Sequence, residues 1–154
     1  MSILKLLFGN LFSKKPLEKT ILDSKIGKLV CVYKPNDTYF TWDTEYKIRN
    51  NKGEPISICI DGDLNGPFFN VIQKTYEIID SLSDLSYEVQ KQIDVEFPER
   101  KINLTRDYSF KDIYVLINEE TNKVDFELEY YTEDAEIMIS VEFINDKIEV
   151  IEFY

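Results

Sequence analysis

The chain has 154 residues, which suits one domain that buries a core of its own without disulfides or metal. Hydrophobic residues make up 44% of the sequence and aromatic residues 14%, a composition that excludes wholesale disorder. The formal net charge of −11 argues against nucleic acid as a partner, because affinity for a phosphate backbone comes from Lys and Arg.

The first 15 residues predict a short amphipathic helix, and residues 16–154 predict a single α+β domain. The apolar stretch within it, residues 3–12, is about half the length needed to cross a bilayer and lacks the cleavage site of a signal peptide. We expect the helix to dock on the core or on a second subunit; the alternative is peripheral contact with a membrane. The residues that would act in assembly or at a membrane are Leu4, Leu7, Phe8, Leu11, Lys14 and Lys15.

Four strands follow in a predicted antiparallel meander, at residues 20–24, 26–33, 39–48 and 56–60. Cys31 and Cys59 lie in these strands among apolar neighbours and have no CxxC spacing. They are typical of small core residues in a reducing compartment, so we expect a cytoplasmic location.

Residues 61–66, DGDLNG, match the first six positions of a calcium-binding loop, with Asp61, Asp63 and Asn65 as the candidate ligands. Position 12 of that loop requires a bidentate Glu, but the chain has Ile72 there. A turn between a strand and a helix explains the same residues, and we predict no metal and no cofactor.

Helical spacing begins after Pro67 and continues to Phe97. Ser81 and Asp84 have the spacing of a capping box, so the pattern fits either two helices that break near Ser83 or one kinked helix. Residues 98–110 show no clear period and are predicted to be a loop.

The last 43 residues carry 2 basic and 13 acidic side chains, and 2 − 13 = −11 equals the net charge of the whole chain. They predict four strands, at residues 112–118, 123–131, 136–144 and 148–154. Apolar and acidic residues alternate in these strands, which puts an apolar face on one side and an acidic face on the other. The predicted architecture is therefore a meander, a central helical segment, and a four-stranded antiparallel meander packed on the helices.

The sequence contains no histidine, which removes the commonest general acid or base near neutral pH and the commonest metal ligand. Its 5 glycines are not grouped in a phosphate-binding loop. We therefore predict that the protein is not an enzyme.

Two stretches resemble a known group of proteins. Residues 27–48 with 60–67, and residues 131–153 with their acidic turn before a strand, are similar to small bacterial domains of unknown function. Some of those domains resemble immunity proteins of toxin systems, and the resemblance implies a role in binding a toxin.

These observations lead to a functional hypothesis, in which the acidic face of the C-terminal strands binds a basic protein such as a toxin. The residues proposed for this contact are Asp125, Glu127, Glu129, Glu136, Glu142 and Tyr130.

Overall fold

The computed structural model describes residues 15–44, 48–50, 52–134 and 136–154. It shows a mixed α+β fold with a mostly antiparallel sheet of nine strands and one long helix. The strands are β1 (Leu17–Asp23), β2 (Gly27–Tyr33), β3 (Phe40–Thr44), β4 (Ser57–Asp63), β5 (Gly66–Pro67), β6 (Tyr108–Ile117), β7 (Val124–Thr132), β8 (Met138–Ile144) and β9 (Lys147–Phe153). The helices are α1 (Phe69–Glu96), a 3₁₀ turn (Pro98–Arg100) and the short α2 (Leu104–Asp107).

The strands form one sheet in the order β1-β2-β3-β4-β6-β7-β8-β9, and β5 pairs with β4. The predicted class is confirmed, but the sheet is larger than predicted, because the first meander and the C-terminal strands join edge to edge. They join through the only parallel pair among the described strands, β4 with β6. A parallel pair needs a long crossover connection, and α1 lies in that connection.

The middle of the chain differs from the prediction in two places. Helix α1 is continuous for 28 residues, so the alternative of two helices is wrong. The hydroxyl of Ser81 donates to the carbonyl of Glu77 at 2.7 Å and therefore does not cap a new helix. The predicted loop at residues 98–110 contains the 3₁₀ turn, α2 and the first residues of β6.

A β-bulge explains why the sequence pattern does not predict the beginning of β6. The pairing of β6 with β7 shifts between Phe110 and Asp112, so one extra residue interrupts the alternation there. Tyr108, Ser109 and Phe110 are all buried, and the sequence before the bulge shows no polar face. A period of two is therefore visible only from Asp112 onward.

The sheet curves around α1, since both of its edges reach the helix. Lys25, in the turn between β1 and β2, forms an ion pair of 2.6 Å with Asp80 of α1. Lys74 of α1 forms an ion pair of 2.9 Å with Asp146, in the turn between β8 and β9. One face of the sheet, here called the inner face, therefore packs on α1, and the outer face is open.

The hydrophobic core lies between α1 and the inner face. Its members from α1 include Val71, Ile78, Val89 and Ile93. Its members from the sheet include Leu29, Trp42, Ile58, Ile60, Ile113, Val115, Phe126, Leu128, Val141 and Phe143. Within the described part of the chain, no helix combines the length and the apolar character needed to span a membrane.

The turn between β4 and β5 is tightly packed around Gly62. A Cβ atom on Gly62 would lie 2.7 Å from Cα of Pro67 and 2.8 Å from Nε1 of Trp42, and it would also collide with the carbonyl oxygen of Gly66. Gly62→Ala is therefore expected to lower the free energy of unfolding by about 1–3 kcal/mol, measured by urea denaturation.

The matched control for Gly62 is Gly53→Asn. Gly53 has φ +78°, no atom lies within 4 Å of the place that its Cβ would occupy, and Asn tolerates positive φ. We expect this control to change the free energy of unfolding by less than about 0.5 kcal/mol. Equal losses in the two variants would contradict the packing argument.

Candidate functional site

The outer face of β6, β7, β8 and β9 carries a continuous group of carboxylates. In one row across the strands, Asp112 pairs with Glu129, Glu129 with Ser140, and Ser140 with Glu152. In the neighbouring row, Tyr114 pairs with Glu127 and Glu127 with Glu142. We call this group the acidic face and define it as Asp112, Asp125, Glu127, Glu129, Glu142 and Glu152.

The sequence produces this arrangement through the alternation of side chains along each strand. In β7 the residues Phe126, Leu128 and Tyr130 are buried on the inner face, so Glu127 and Glu129 between them must point outward. The helix covers only the inner face, and the carboxylates therefore remain on the open side of the sheet.

Uncharged donors hold several of these carboxylates. Asp125 accepts hydrogen bonds from Nδ2 of Asn118 at 2.9 Å and from the backbone N–H of Asn145 at 3.3 Å. Glu127 accepts one from the hydroxyl of Ser140. Two further carboxylates accept from tyrosine hydroxyls, Glu129 from Tyr131 and Glu152 from Tyr154.

Among the residues that the structure describes, no basic side chain forms an ion pair with the acidic face, although the charge of Lys111 acts on Asp112 and opposes the effect of its desolvation. The described Lys and Arg side chains that form ion pairs do so with carboxylates outside the acidic face. These pairs are Lys25 with Asp80, Lys74 with Glu77 and Asp146, Arg106 with Asp107, and Lys111 with Glu54. Glu127 and Glu142 lie directly opposite each other, and like charges in that position destabilise a sheet. The acidic face therefore carries a negative charge that no ion pair with a described base neutralises, and the opposed pair of Glu127 and Glu142 lowers stability.

The pKa values of two members reflect this environment. Desolvation raises the pKa of Glu129, and the nearby charges of Asp112 and Glu127 raise it further, against the hydrogen bond from Tyr131. Desolvation also raises the pKa of Asp112. Burial, followed by the charges of Glu129 and Asp112, raises the pKa of Tyr114 to about 12. The centre of this surface is thus partly desolvated.

These shifts predict a stabilising substitution. A carboxyl group whose pKa rises on folding binds its proton more tightly in the folded state, so ionisation lowers stability as the pH rises past its ordinary value, 4.5 for Glu129. Glu129→Gln keeps an acceptor for Tyr131 and is expected to raise the free energy of unfolding at pH 7 by about 0.2–1 kcal/mol. The gain should disappear at about pH 3, where both states are protonated.

Urea denaturation at the two pH values measures this difference. Glu88→Gln, on the exposed side of α1, is the control, and its change should stay within about 0.5 kcal/mol at both pH values. A gain from Glu129→Gln that persists at low pH would contradict the electrostatic explanation.

A small cleft of about 210 Å³ lies on the acidic face. Its lining includes the side chains of Tyr114 and Leu116 together with Asp125, Glu127 and Glu142. An apolar surface bordered by carboxylates matches Lys and Arg, which combine an aliphatic stem with a cationic end. The cleft can therefore accept a basic side chain from another molecule.

The structure brings together four of the residues predicted for protein binding: Asp125, Glu127, Glu129 and Glu142. Glu136 does not lie in a strand, because β8 begins at Met138; it is exposed in the turn between β7 and β8. Tyr130 does not belong to this surface, since it is 2% exposed on the inner face and its hydroxyl lies 3.2 Å from that of Ser86.

Sequence reasoning missed several residues of this surface. Asp112 and Glu152 complete the row of Glu129, and each follows the period of two within its own strand. The aromatic neighbour of Glu129 is Tyr131, one position beyond the predicted Tyr130. Parity along β7 could have identified Tyr131, because it shares the outward positions of Glu127 and Glu129.

Other predicted groups have different outcomes. The residues Leu4, Leu7, Phe8, Leu11 and Lys14 lie outside the described residues, and Lys15 is exposed. The carboxylate of Asp61 is buried, and it accepts hydrogen bonds from the hydroxyl of Tyr39 and, at 2.7 Å, from the backbone N–H of Ile117. No group of three or more Cys, Asp or Glu side chains that could hold a metal ion occurs among the described residues.

The two cysteines are free thiols, and they lie on opposite faces of the sheet. Cys31 is buried on the inner face, whereas Cys59 is half-buried on the outer face beside Asp43 and Tyr114. Burial and the charge of Asp43 raise the pKa of Cys59 to about 12. Its thiol is therefore protonated at neutral pH and is a weak nucleophile.

Comparisons with protein-family models, with curated proteins and with solved structures find no match for this chain.

Proposed function

We propose that this protein is a non-catalytic binding protein that docks a basic protein on its acidic face. The observation that supports the proposal is that none of these six carboxylates forms an ion pair with a described basic side chain. A toxin that the protein neutralises is the partner class that we favour, because residues 27–48, 60–67 and 131–153 resemble small bacterial domains of which some are similar to immunity proteins.

Electrostatics favours a cationic partner for two reasons. Like charges that lie opposite each other, such as Glu127 and Glu142, repel in the free protein, and a cationic surface placed over them would relieve the repulsion. The concentrated negative potential would also speed the encounter with a basic protein and disfavour acidic competitors.

The cleft and its surroundings supply contacts beyond charge. A Lys or Arg side chain of the partner would extend over Tyr114 and Leu116 and pair with Glu127 or Glu142. Tyr131 and Tyr154 lie at the end of the same face, where β7 and β9 flank Met138. Tyrosine is enriched at the energetic centres of protein interfaces, and these rings would provide buried contact area.

We propose the cytoplasm as the compartment in which this binding takes place. Cys31 and Cys59 are both free thiols in the folded protein. Free thiols persist in reducing compartments, which supports this location.

Calorimetric titration with a short synthetic peptide rich in Arg and Lys, here called the basic probe, tests the proposal. The binding constant is expected to fall steeply as ionic strength rises from low to physiological values, and an acidic peptide of equal length should not bind. Failure of the basic probe to bind at low ionic strength would contradict the proposal.

A further inference from the structure

A second and larger cavity lies on the other side of the sheet, next to α1. It has a volume of about 480 Å³, within the range of about 300–1,000 Å³ typical of small-molecule sites. It lies between α1, the short α2, the inner face of β6 and β7, and the segment at Arg49 and Asn50. No residue of the acidic face lines this cavity.

The walls and floor of the cavity are mainly apolar. They include Ile79 and Leu82 from α1, Leu104 from α2, and the rings of Phe110 and Tyr130 from the sheet. The two rings contact each other, with centroids 5.2 Å apart. Such a surface fits an aromatic or aliphatic body.

Hydroxyl groups provide hydrogen-bonding sites among the apolar side chains of the lining. The hydroxyls of Ser86 and Tyr130 lie 3.2 Å apart, and either can donate to the other. Ser83 and Thr105 also line the cavity. The hydroxyls of Ser86 and Tyr130 can exchange their mutual hydrogen bond for bonds to a polar atom of a ligand.

Arg49 provides the only cationic side chain among the described residues that line the cavity. Nη1 of Arg49 donates to the carbonyl of Gly53 at 2.8 Å, and the guanidinium forms no ion pair with any described carboxylate. Arg106, by contrast, forms an ion pair with Asp107 at 2.6 Å. A guanidinium has five N–H donors, so Arg49 retains donors for an anion.

Arg49 and Asn50 are anchored to neighbouring parts of the chain. Nδ2 of Asn50 donates to the carbonyl of Phe110 at 2.8 Å, and Arg49 forms a β-bridge with Pro55. The guanidinium therefore extends from an anchored segment, which limits the conformational entropy lost when a ligand binds.

We propose that this cavity binds a small organic anion with an apolar body, of the arylalkanoate class. The apolar body would occupy the space between Leu82, Phe110 and Tyr130, and the carboxylate would pair with Arg49. The pairing of a planar guanidinium with a carboxylate gives two parallel hydrogen bonds and selects for an anion over a neutral analogue.

Titration of the full-length protein with 4-phenylbutanoate, followed by backbone amide NMR, tests the proposal. We expect saturable shifts at the lining residues, and we expect the neutral analogue 4-phenylbutan-1-ol to bind about 10-fold more weakly. Arg49→Gln should remove this preference for the anion, and Lys91→Gln, at an exposed position of α1, should retain it.

A second variant tests the position of the apolar body. Leu82→Trp fills the cavity and should weaken both ligands at least 10-fold in a protein whose circular dichroism shows that it is folded. The proposal is overturned if the lining residues do not shift, if the acid and the alcohol bind equally, or if Arg49→Gln leaves their ratio unchanged. These outcomes do not depend on the acidic face, and they leave the proposed function untouched.

Discussion

Replacement of Glu127, Glu129 and Glu142 together with Lys is expected to weaken binding of the basic probe by about 100-fold, which corresponds to about 2.8 kcal/mol. These three side chains lie next to each other on β7 and β8, and two of them are directly opposite. The charge reversal would place three Lys side chains against the cationic side chains of the basic probe, so that electrostatic attraction becomes repulsion. Calorimetric titration at low ionic strength measures the change.

The matched control reverses three acids elsewhere, Asp84, Glu88 and Glu99, which are exposed on α1 and on the 3₁₀ turn. Both triple variants change the net charge by the same amount, from −11 to −11 + 6 = −5. The control should weaken binding by less than 10-fold, since it alters only the overall charge. Equal weakening by the two variants would show that net charge, and not the acidic face, determines the affinity.

A second triple variant, with Gln at the same three positions of the acidic face, separates charge from folding. Gln keeps the acceptor for the hydroxyl of Ser140 beside Glu127 and that for Tyr131 beside Glu129. Its affinity should fall between that of the unaltered protein and that of the Lys variant. A folded Gln variant with full affinity would contradict the role of these carboxylates.

Phe143→Ala is expected to lower the free energy of unfolding by about 3–5 kcal/mol. Phe143 is 1% exposed on the inner face, and its ring stacks on that of Phe126 with centroids 4.4 Å apart. The truncation would leave a cavity in the middle of the C-terminal part of the core. Urea denaturation, monitored by far-UV circular dichroism, measures the loss.

The neighbouring residue in β8 provides the control. Glu142 is exposed on the outer face, so Glu142→Ala should change the free energy of unfolding by no more than about 0.5 kcal/mol. A stabilising change is the expected direction, because the substitution removes the charge opposite Glu127. Comparable losses from the two variants would contradict the assignment of the two faces.

The C-terminal strands were largely predictable from the sequence because apolar and polar residues alternate along most of β7 and β8. The length of β6 was not predictable, since the bulge between Phe110 and Asp112 breaks that period. The joining of the two meanders was also not predictable, because the contact of β4 with β6 is a long-range parallel pairing. The sequences of β4 and β6, which include the paired residues Ile58 and Ile113, are hydrophobic, but neither sequence indicates which strand it pairs with.

The candidate surface was partly predictable for the same reason. Alternation identifies Glu127 and Glu129, but it does not reveal which carboxylates come together across strands. Glu142 lies opposite Glu127 and Glu152 lies opposite Ser140 only because of the observed pairing of β7, β8 and β9. Glu136 follows the same parity but falls in a turn, so the period alone overestimates the surface at its end.

The location of bound basic peptide tests the central claim most directly, and backbone amide NMR of the full-length protein with the basic probe provides it. We predict shifts that concentrate at residues 112–116, 125–131 and 138–142 on the outer face, with small changes along the exposed side of α1. Shifts spread evenly over exposed acids, or concentrated on α1, would contradict the assignment of the acidic face as the binding surface.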